Sequence, residues 1–212
     1  MAAFGATLII CAGLSAAPLP LNPRPTGLTV RYFGFGANVD QQLMRRRIGS
    51  VPLGAEPAMA TGYRLAFTAL GFGPEPGFAS IERSVGGPSE IHGVLYTLDA
   101  AQMAALCASE AVPLAYSVIS LRCATYDGRT VGASALQANG PGRIVEAAFG
   151  PIRPSERYLG VIRAGARASG LADSWLRYLE TIEPATPLFG LPKEMAPGAS
   201  LFADATKTTP AS

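Results

Sequence analysis

The sequence predicts an α+β domain built from about six strands and a smaller number of helices. The first observation is that strand-like segments, separated by turn residues, follow one another through much of the chain. The second is that helical periodicity of apolar residues is concentrated toward the C-terminal end. A parallel doubly wound sheet would alternate strands with helices throughout, so this order favours the α+β class.

The predicted strands are rich in β-branched and aromatic residues. They cover residues 28–35, 63–70, 77–84, 91–98 and 115–126, with a further strand after Asp127-Gly128. An Asp-Gly pair between two such segments predicts a hairpin. A Gly-Gly-Pro-Ser turn predicts a second hairpin, between the strands at 77–84 and 91–98.

Three helices are predicted from capping residues and apolar stripes. The first covers 99–110, where Asp99 and Gln102 form a variant of the capping box. The second covers 155–170, with Ser155 as its cap and Gly170 at its end. The third covers 173–183, with an apolar stripe of Trp175, Leu176, Leu179 and Ile182.

The composition of the 212-residue chain is that of one folded domain with extensions at its ends. Apolar residues make up 49% and charged residues 15%, which argues against a disordered protein. A net charge of +2 gives no reason to expect a nucleic-acid partner. The basic triplet Arg45-Arg46-Arg47 is interpreted as a solvated helix face.

The two ends differ in composition from the centre. Residues 1–27 are predicted to be an apolar, Pro-rich segment, resembling an export or organelle-targeting signal that lacks its basic region. The alternative is that this segment is a simple apolar extension of a cytoplasmic protein. The apolar run of the segment is short for a stable membrane anchor. Residues 28–185 are predicted to form the folded domain, and residues 186–212 a mobile tail.

Cysteine and histidine are too few for a structural zinc site, which takes four such ligands. The chain has Cys11, Cys107, Cys123 and a single histidine, His92, and it contains no CxxC motif. We therefore expect neither a metal nor a Cys–His mechanism. His92 lies in "EIHGVLYTL" and is predicted to be a packed strand residue, whereas the pairing of the cysteines stays open.

Glu110 is the candidate general base. Met103, Leu106 and Cys107 form an apolar stripe on the predicted helix, and Glu110 comes seven residues after Met103, on nearly the same side. A carboxylate there loses water, and burial favours its neutral form unless a cation pairs with it. Such a group is suited to general-base chemistry. The alternative is that Glu110 is solvated, or pairs with an arginine such as Arg122.

The segment "RYFGFGANVD", residues 31–40, places two glycines directly after a predicted strand. A loop of this kind can direct successive backbone N–H groups into one concavity and receive an anion or oxyanion. It is no dinucleotide fingerprint, because Val39 stands where G-x-G-x-x-G requires glycine. A tight strand turn is the alternative use for Gly34 and Gly36.

Several short motifs, in order along the chain, resemble those of the γ-glutamylcyclotransferase (AIG2-like) family. "YFGFGAN" resembles its Y-G-S-N loop, and "YRLAF", "GFASIE" and "IHGVLYTL" are similar to its next strands. "LDAAQMAALCASEAVPLAYSV" resembles the helix that ends in the catalytic glutamate. "RPSERYLGVIRAGARASGLADSWLRYLETIEP" resembles the end of the domain, so the similarity covers about residues 30 to 184.

The resemblance implies a small mixed β-barrel of about six strands with flanking helices, and a cofactor-free reaction. Such an enzyme cyclises the γ-glutamyl group of a small amide or glutathione-like peptide to 5-oxoproline and releases the amino acid or peptide. By resemblance, Glu110 is the general base. The implied substrate-binding residues are Tyr32, Phe33, Gly34, Phe35, Gly36, Ala37, Asn38 and Tyr158, the last as a pocket-wall hydroxyl or, alternatively, a core aromatic.

The chain departs from the family pattern at three positions. Phe35 and Ala37 replace Tyr and Ser, and each lost hydroxyl is expected to weaken substrate binding by about 0.5–1.5 kcal/mol. Ala111 replaces the glycine after Glu110, which is strained if that position needs a positive φ. The alternative function is therefore a catalytically retired relative, docked in a larger assembly by its tails and the Tyr63–Leu70 side. Homodimerisation is also open.

Overall fold

Seven strands, five α-helices and one 3-10 turn make up the residues described by this computed structural model, 27–86 and 90–186. The strands are β1 (Thr29–Gly34), β2 (Gly54–Thr61), β3 (Tyr63–Leu70), β4 (Gly77–Arg83), β5 (Glu90–Asp99), β6 (Tyr116–Thr125) and β7 (Thr130–Ala138). The helices are α1 (Gln41–Ile48), α2 (Ala100–Ser109), α3 (Gly142–Phe149), α4 (Glu156–Ala168) and α5 (Asp173–Thr181), and the 3-10 turn is Ala37–Val39. The predicted leading segment and tail lie outside the described residues, apart from one boundary residue each.

Five strands close into a barrel in the order β1-β5-β2-β6-β7. The barrel is mixed because β1 and β7 pair in parallel, at Tyr32 and Ser134, whereas the other neighbours are antiparallel. Strands β3 and β4 form a separate two-stranded sheet. The predicted fold class, an α+β domain with a small mixed barrel and flanking helices, is confirmed.

One of the two predicted hairpins is confirmed and the other is wrong. Strands β6 and β7 pair on either side of the Asp-Gly turn, where Gly128 has φ 89°. Strand β4, however, pairs with β3, and β5 lies between β1 and β2. The reason is that β5 is buried along nearly its whole length, which suits a strand with a neighbour on each side.

Both predicted caps that orient candidate site residues are confirmed. The Asp99 carboxylate accepts from the backbone N–H of Gln102 at 2.8 Å, and the Gln102 side chain accepts from the Asp99 N–H at 3.1 Å. At the start of α4, Ser155 Oγ accepts from the backbone N–H of Tyr158 at 3.0 Å. Satisfying these helix-end donors stabilises the first turns, and so fixes where each helix begins.

The bounds of helix α1 were not predicted from the sequence, although the helix carries the usual signals. The Asp40 carboxylate accepts from the N–H groups of Gln42 and Leu43 at 2.8 and 3.0 Å, and Gly49 ends the helix with φ 70°. Of the basic triplet only Arg45 and Arg46 are exposed. The third arginine is half-buried, so the interpretation of all three as a solvated face is wrong.

His92 is a packed strand residue, as predicted. It is buried in β5, its Nδ1 lies 2.5 Å from the hydroxyl of Tyr126, and its ring stacks on Trp175 with centroids 5.3 Å apart. Within residues 27–86 and 90–186, no helix is long and apolar enough to cross a membrane.

Cys107 and Cys123 are both free thiols. Cys123 is 1% exposed, and burial raises the pKa of its thiol from 9.0 to about 12.

The raised pKa of Cys123 favours the protonated thiol in the folded state. This contribution to stability is complete below pH 9.0 and is lost as the pH rises toward 12. We expect the free energy of unfolding in urea to fall across this window, and to fall less steeply in Cys123→Ala. Equal slopes for the two proteins would contradict the expectation.

Candidate active site

Glu110 follows the last residue of α2 and is held over the barrel by that helix. Its backbone N–H donates to the carbonyl of Leu106, a fully buried residue, at 3.1 Å. The side chain is only 13% exposed. The carboxylate is therefore shielded from bulk water, on the side of the helix that the apolar stripe indicated.

Two side chains hold the Glu110 carboxylate. Asn38 Nδ2 donates to Oε1 at 2.9 Å, and the Arg47 guanidinium forms an ion pair with the same oxygen. An arginine partner was an alternative in the sequence analysis, but Arg122, the one considered there, is exposed on β6. The positive charge of Arg47 favours the ionised carboxylate, which is the form that can accept a proton.

Asn38 links the loop after β1 to Glu110. Its Nδ2 also donates to the hydroxyl of Tyr32 at 2.9 Å, and its backbone carbonyl accepts from the hydroxyl of Tyr96 at 2.8 Å. Its Oδ1 is buried and has no hydrogen-bond partner among the described residues. A buried polar atom without a partner is costly, so this oxygen is available to a donor that lies outside the described residues.

Close packing explains the two glycines of the loop. A Cβ at Gly36 would lie 2.5 Å from the Cβ of Ala79 in β4 and 3.3 Å from the Tyr158 hydroxyl. A Cβ at Gly34 would lie 3.0 Å from the carbonyl oxygen of Asn38. Neither glycine has a positive φ. The loop therefore needs glycine because other parts of the chain lie against its backbone.

Some backbone N–H groups of this loop are already hydrogen-bonded within the chain. The N–H groups of Val39 and Asp40 donate to the carbonyls of Gly36 and Ala37, both at 3.0 Å, and so close the 3-10 turn. All seven residues implied as substrate contacts, from Tyr32 to Asn38, are buried. Their side chains belong mainly to the core, as for Phe33, which is stacked on Phe35 with centroids 6.3 Å apart.

Two tyrosine hydroxyls lie on the other side of the loop. Tyr158 of α4 accepts from the backbone N–H of Ala79 at 3.2 Å, and Tyr116 of β6 donates to the carbonyl of the same residue at 3.1 Å. The Tyr158 ring also packs edge-on against Phe78, with centroids 5.2 Å apart. The Tyr158 ring is therefore a core aromatic, and its hydroxyl faces Gly36. Its role as a pocket-wall hydroxyl stays a prediction.

Burial and the charge of Arg47 both act on the tyrosine hydroxyls of this region. Burial raises the pKa of the hydroxyls of Tyr32, Tyr116 and Tyr158, and the positive charge of Arg47 partly offsets the rise in each. The three hydroxyls stay protonated at neutral pH and can donate hydrogen bonds. One cation, one anion and three hydroxyl donors are thus brought together by elements distant in sequence.

Arg47 was not predicted to be a site residue. The signal was present, because Arg47 stands four residues after Leu43 and three after Met44, and both of these are buried. Residues at those spacings share a helix face, which predicts that Arg47 points inward. It was missed because the bounds of α1 were not predicted.

A cavity of about 520 Å³ lies away from Glu110, against α5. Its two arginines already have partners. Arg64 donates to both carboxylate oxygens of Glu146, at 3.0 and 2.5 Å, and the Arg83 guanidinium lies 4.6 Å from the ring centroid of Tyr63. Both arginines are therefore engaged within the chain. None of the predicted site residues lines this cavity, so the Glu110 region remains the candidate active site.

Ala111 has a positive φ of 51°, which no other non-glycine residue in the described part of the chain shows. Left-handed backbone costs an alanine about 1–2 kcal/mol, whereas glycine adopts it readily. We expect Ala111→Gly to raise the free energy of unfolding by about 0.5–1 kcal/mol, after the greater entropy of glycine in the unfolded chain is subtracted. Urea unfolding measures the change, and a destabilised variant would show that Ala111 is not strained.

Comparison with known proteins agrees with this architecture. Residues 90–179 match the sequence pattern of the AIG2-like family. A gamma-glutamyl cyclotransferase of Aspergillus oryzae, aclK, is 28% identical over 173 aligned positions, and the match covers 73% of this chain and 62% of that protein. The chain thus spans less than two thirds of that relative.

Two solved structures share the fold. One, named gamma-glutamyl cyclotransferase, has a TM-score of 0.60 and 22% identity, covering 79% of this chain and 95% of the other. The second, an uncharacterised human protein, has a TM-score of 0.63 and 23% identity, covering 78% of this chain and 95% of the other. At such identities the likeness establishes the fold alone.

Proposed function

Because the chain belongs to the AIG2-like family, with the γ-glutamylcyclotransferase-like fold, we propose that it is a γ-glutamylcyclotransferase. Its substrate would be the γ-glutamyl amide of an amino acid or small peptide. The products would be 5-oxoproline and the released amine. The observation that carries the proposal is the 2.9 Å hydrogen bond between Asn38 and Glu110, which joins the loop after β1 to a shielded carboxylate.

Glu110 would act as the general base. Its ionised carboxylate takes a proton from the substrate's α-ammonium, and the freed amine attacks the γ-carbonyl carbon of the same molecule. The new C–N bond closes the five-membered ring while the carbonyl oxygen becomes an oxyanion. The ring then expels the original amine, which takes the proton returned by Glu110. The ring nitrogen gives up its second proton to this amine, so that 5-oxoproline and an alkylammonium are the products.

The buried loop and the tyrosine hydroxyls would stabilise the oxyanion. The Tyr158 hydroxyl accepts from Ala79 and keeps its own proton available for donation, because burial holds its pKa above the ordinary value. The reaction is intramolecular, so the protein mainly has to hold the substrate in a folded-back conformation. Such a site needs no group beyond side chains and backbone.

The proposal is tested by incubating the purified chain with γ-glutamyl-alanine and with glutathione, and measuring 5-oxoproline. We expect product from at least one of them, with an equal amount of released alanine or cysteinyl-glycine. α-Glutamyl-alanine is the control, because its γ-carboxylate is not an amide and cannot cyclise in this way. Absence of product from both substrates would favour the alternative, a retired relative that serves as a binding or structural subunit.

A further inference from the structure

We propose that Arg47 binds the α-carboxylate of the substrate while Glu110 and Asn38 receive its α-ammonium. The inference rests on the proposed function and deepens it, because it names the residue that would make the enzyme select γ-glutamyl compounds. The ligand class is an α-amino acid zwitterion, which carries one positive and one negative charge on the same carbon. The Arg47–Glu110 ion pair presents the complementary charges.

The Arg47 guanidinium has N–H donors that no described residue uses. Arginine carries five N–H donors in a planar fork. Only its Nη1 contacts Glu110, and within the described part of the chain Arg47 makes no other hydrogen bond or ion pair. Its side chain is 20% exposed, so one edge can be reached from solvent. A carboxylate can be bound by this fork through two parallel hydrogen bonds.

Glu110 and Asn38, which hydrogen-bonds to it, each have an acceptor oxygen without a donor among the described residues. Asn38 Oδ1 is buried and unpaired, and both recorded contacts of Glu110 are made by its Oε1, which leaves Oε2 without a partner among the described residues. An ammonium group has three donors and no acceptor. It would satisfy both oxygens at once, and it would place its proton on the proposed base.

A purely structural ion pair does not account for these features. Removing two charges from water costs free energy that an ion pair recovers only when its remaining donors and acceptors are satisfied. Here the amide oxygen of Asn38 stays unpaired in the interior. A zwitterionic ligand would complete the set, because each of its charged groups meets the opposite charge, and Asn38 Oδ1 and Glu110 Oε2 each gain a donor.

The first experiment compares two substrates that differ only in the α-carboxylate, γ-glutamyl-alanine and 4-aminobutanoyl-alanine. The second lacks that group and cyclises to 2-pyrrolidinone. We expect the unmodified protein to prefer γ-glutamyl-alanine in kcat/KM by about 10- to 100-fold, as for a charge-assisted bidentate contact. Arg47→Gln should lose this preference by slowing γ-glutamyl-alanine far more than 4-aminobutanoyl-alanine, and Arg47→Lys should retain part of it.

Arg46→Gln is the matched control, because it removes the same charge from the exposed face of the same helix. It should keep the full preference. If Arg47→Gln slows both substrates equally and the preference persists, Arg47 only positions Glu110. That result would overturn the inference while the proposed function stands.

A binding measurement decides the inference even if no substrate is turned over. L-Norvaline is a zwitterion that cannot cyclise, and n-butylamine is the same molecule without the carboxylate. We expect titration calorimetry to detect tighter binding of L-norvaline by about 10-fold or more, and Arg47→Gln to abolish the difference. Failure of the unmodified protein to distinguish the two ligands would overturn the inference, whereas failure to form product alone would count against the proposed function.

Discussion

Glu110→Gln is expected to lower the rate of 5-oxoproline formation by about 10²- to 10⁴-fold, the usual contribution of a general acid or base. The glutamine amide fills the same volume and can still accept from Asn38, but it cannot take a proton from an ammonium. KM should change far less than kcat. Steady-state kinetics with γ-glutamyl-alanine measures both.

The matched control for this substitution is Glu146→Gln. Glu146 is also paired with an arginine, Arg64, at 3.0 and 2.5 Å, but it lies in α3, away from the candidate site. The Glu146→Gln variant should keep the activity of the unmodified protein. Thermal unfolding of both variants separates loss of catalysis from loss of fold. Retained activity in Glu110→Gln would remove Glu110 from the mechanism.

Gly36→Ala is expected to have the largest effect on stability among the loop substitutions. The added Cβ would lie 2.5 Å from the Cβ of Ala79, so either the loop or β4 has to move. Overpacking of this kind typically costs about 1–3 kcal/mol. The movement would also disturb Tyr158, whose hydroxyl accepts a hydrogen bond from the Ala79 backbone N–H. Activity should therefore fall as well. Urea unfolding and the 5-oxoproline assay measure the two effects.

Gly160→Ala serves as the comparison for Gly36→Ala. Gly160 lies inside α4, and a Cβ there would meet nothing within 4 Å. Replacing a helical glycine by alanine at an open position stabilises by about 0.5–1 kcal/mol, so the two variants should change stability in opposite directions. If Gly36→Ala were as stable as Gly160→Ala, the close approach of β4 to the loop would be wrong.

Much of the fold could be predicted because its signals are local. The strand at residues 63–70 matches β3 (Tyr63–Leu70), and the Asp-Gly turn joins β6 and β7 as expected. The capping residues Asp99 and Ser155 begin their helices. In each case a few neighbouring side chains determine the structure, and the sequence displays them directly.

The elements that could not be predicted depend on contacts between distant residues. Strand β2 contains Pro57 and has few β-branched residues, yet it pairs with β5 along its full length. Strand β4 pairs with β3 although its sequence and the following turn suggested β5. Barrel closure, which gives β5 two other neighbours, overrides these local preferences.

The candidate site also has features that the local sequence predicts and features that depend on the fold. Helical spacing predicted the inward position of Glu110, and the resemblance to the family directed attention to the loop ending at Asn38. The partner of Glu110 could not be predicted, since Arg47 and Arg122 are equally charged and only the fold brings one of them to the carboxylate. The part played by Gly36 also depended on β4, which packs against it.

The central claim is that a shielded Glu110 receives the proton of a folded-back γ-glutamyl group. The most direct test is a crystal structure of the Glu110→Gln variant with γ-glutamyl-alanine bound. We predict that the substrate's α-nitrogen lies within hydrogen-bond distance, about 2.6–3.2 Å, of the side-chain oxygen at position 110. A substrate that is bound elsewhere, or whose α-nitrogen points away from that side chain, would contradict the account.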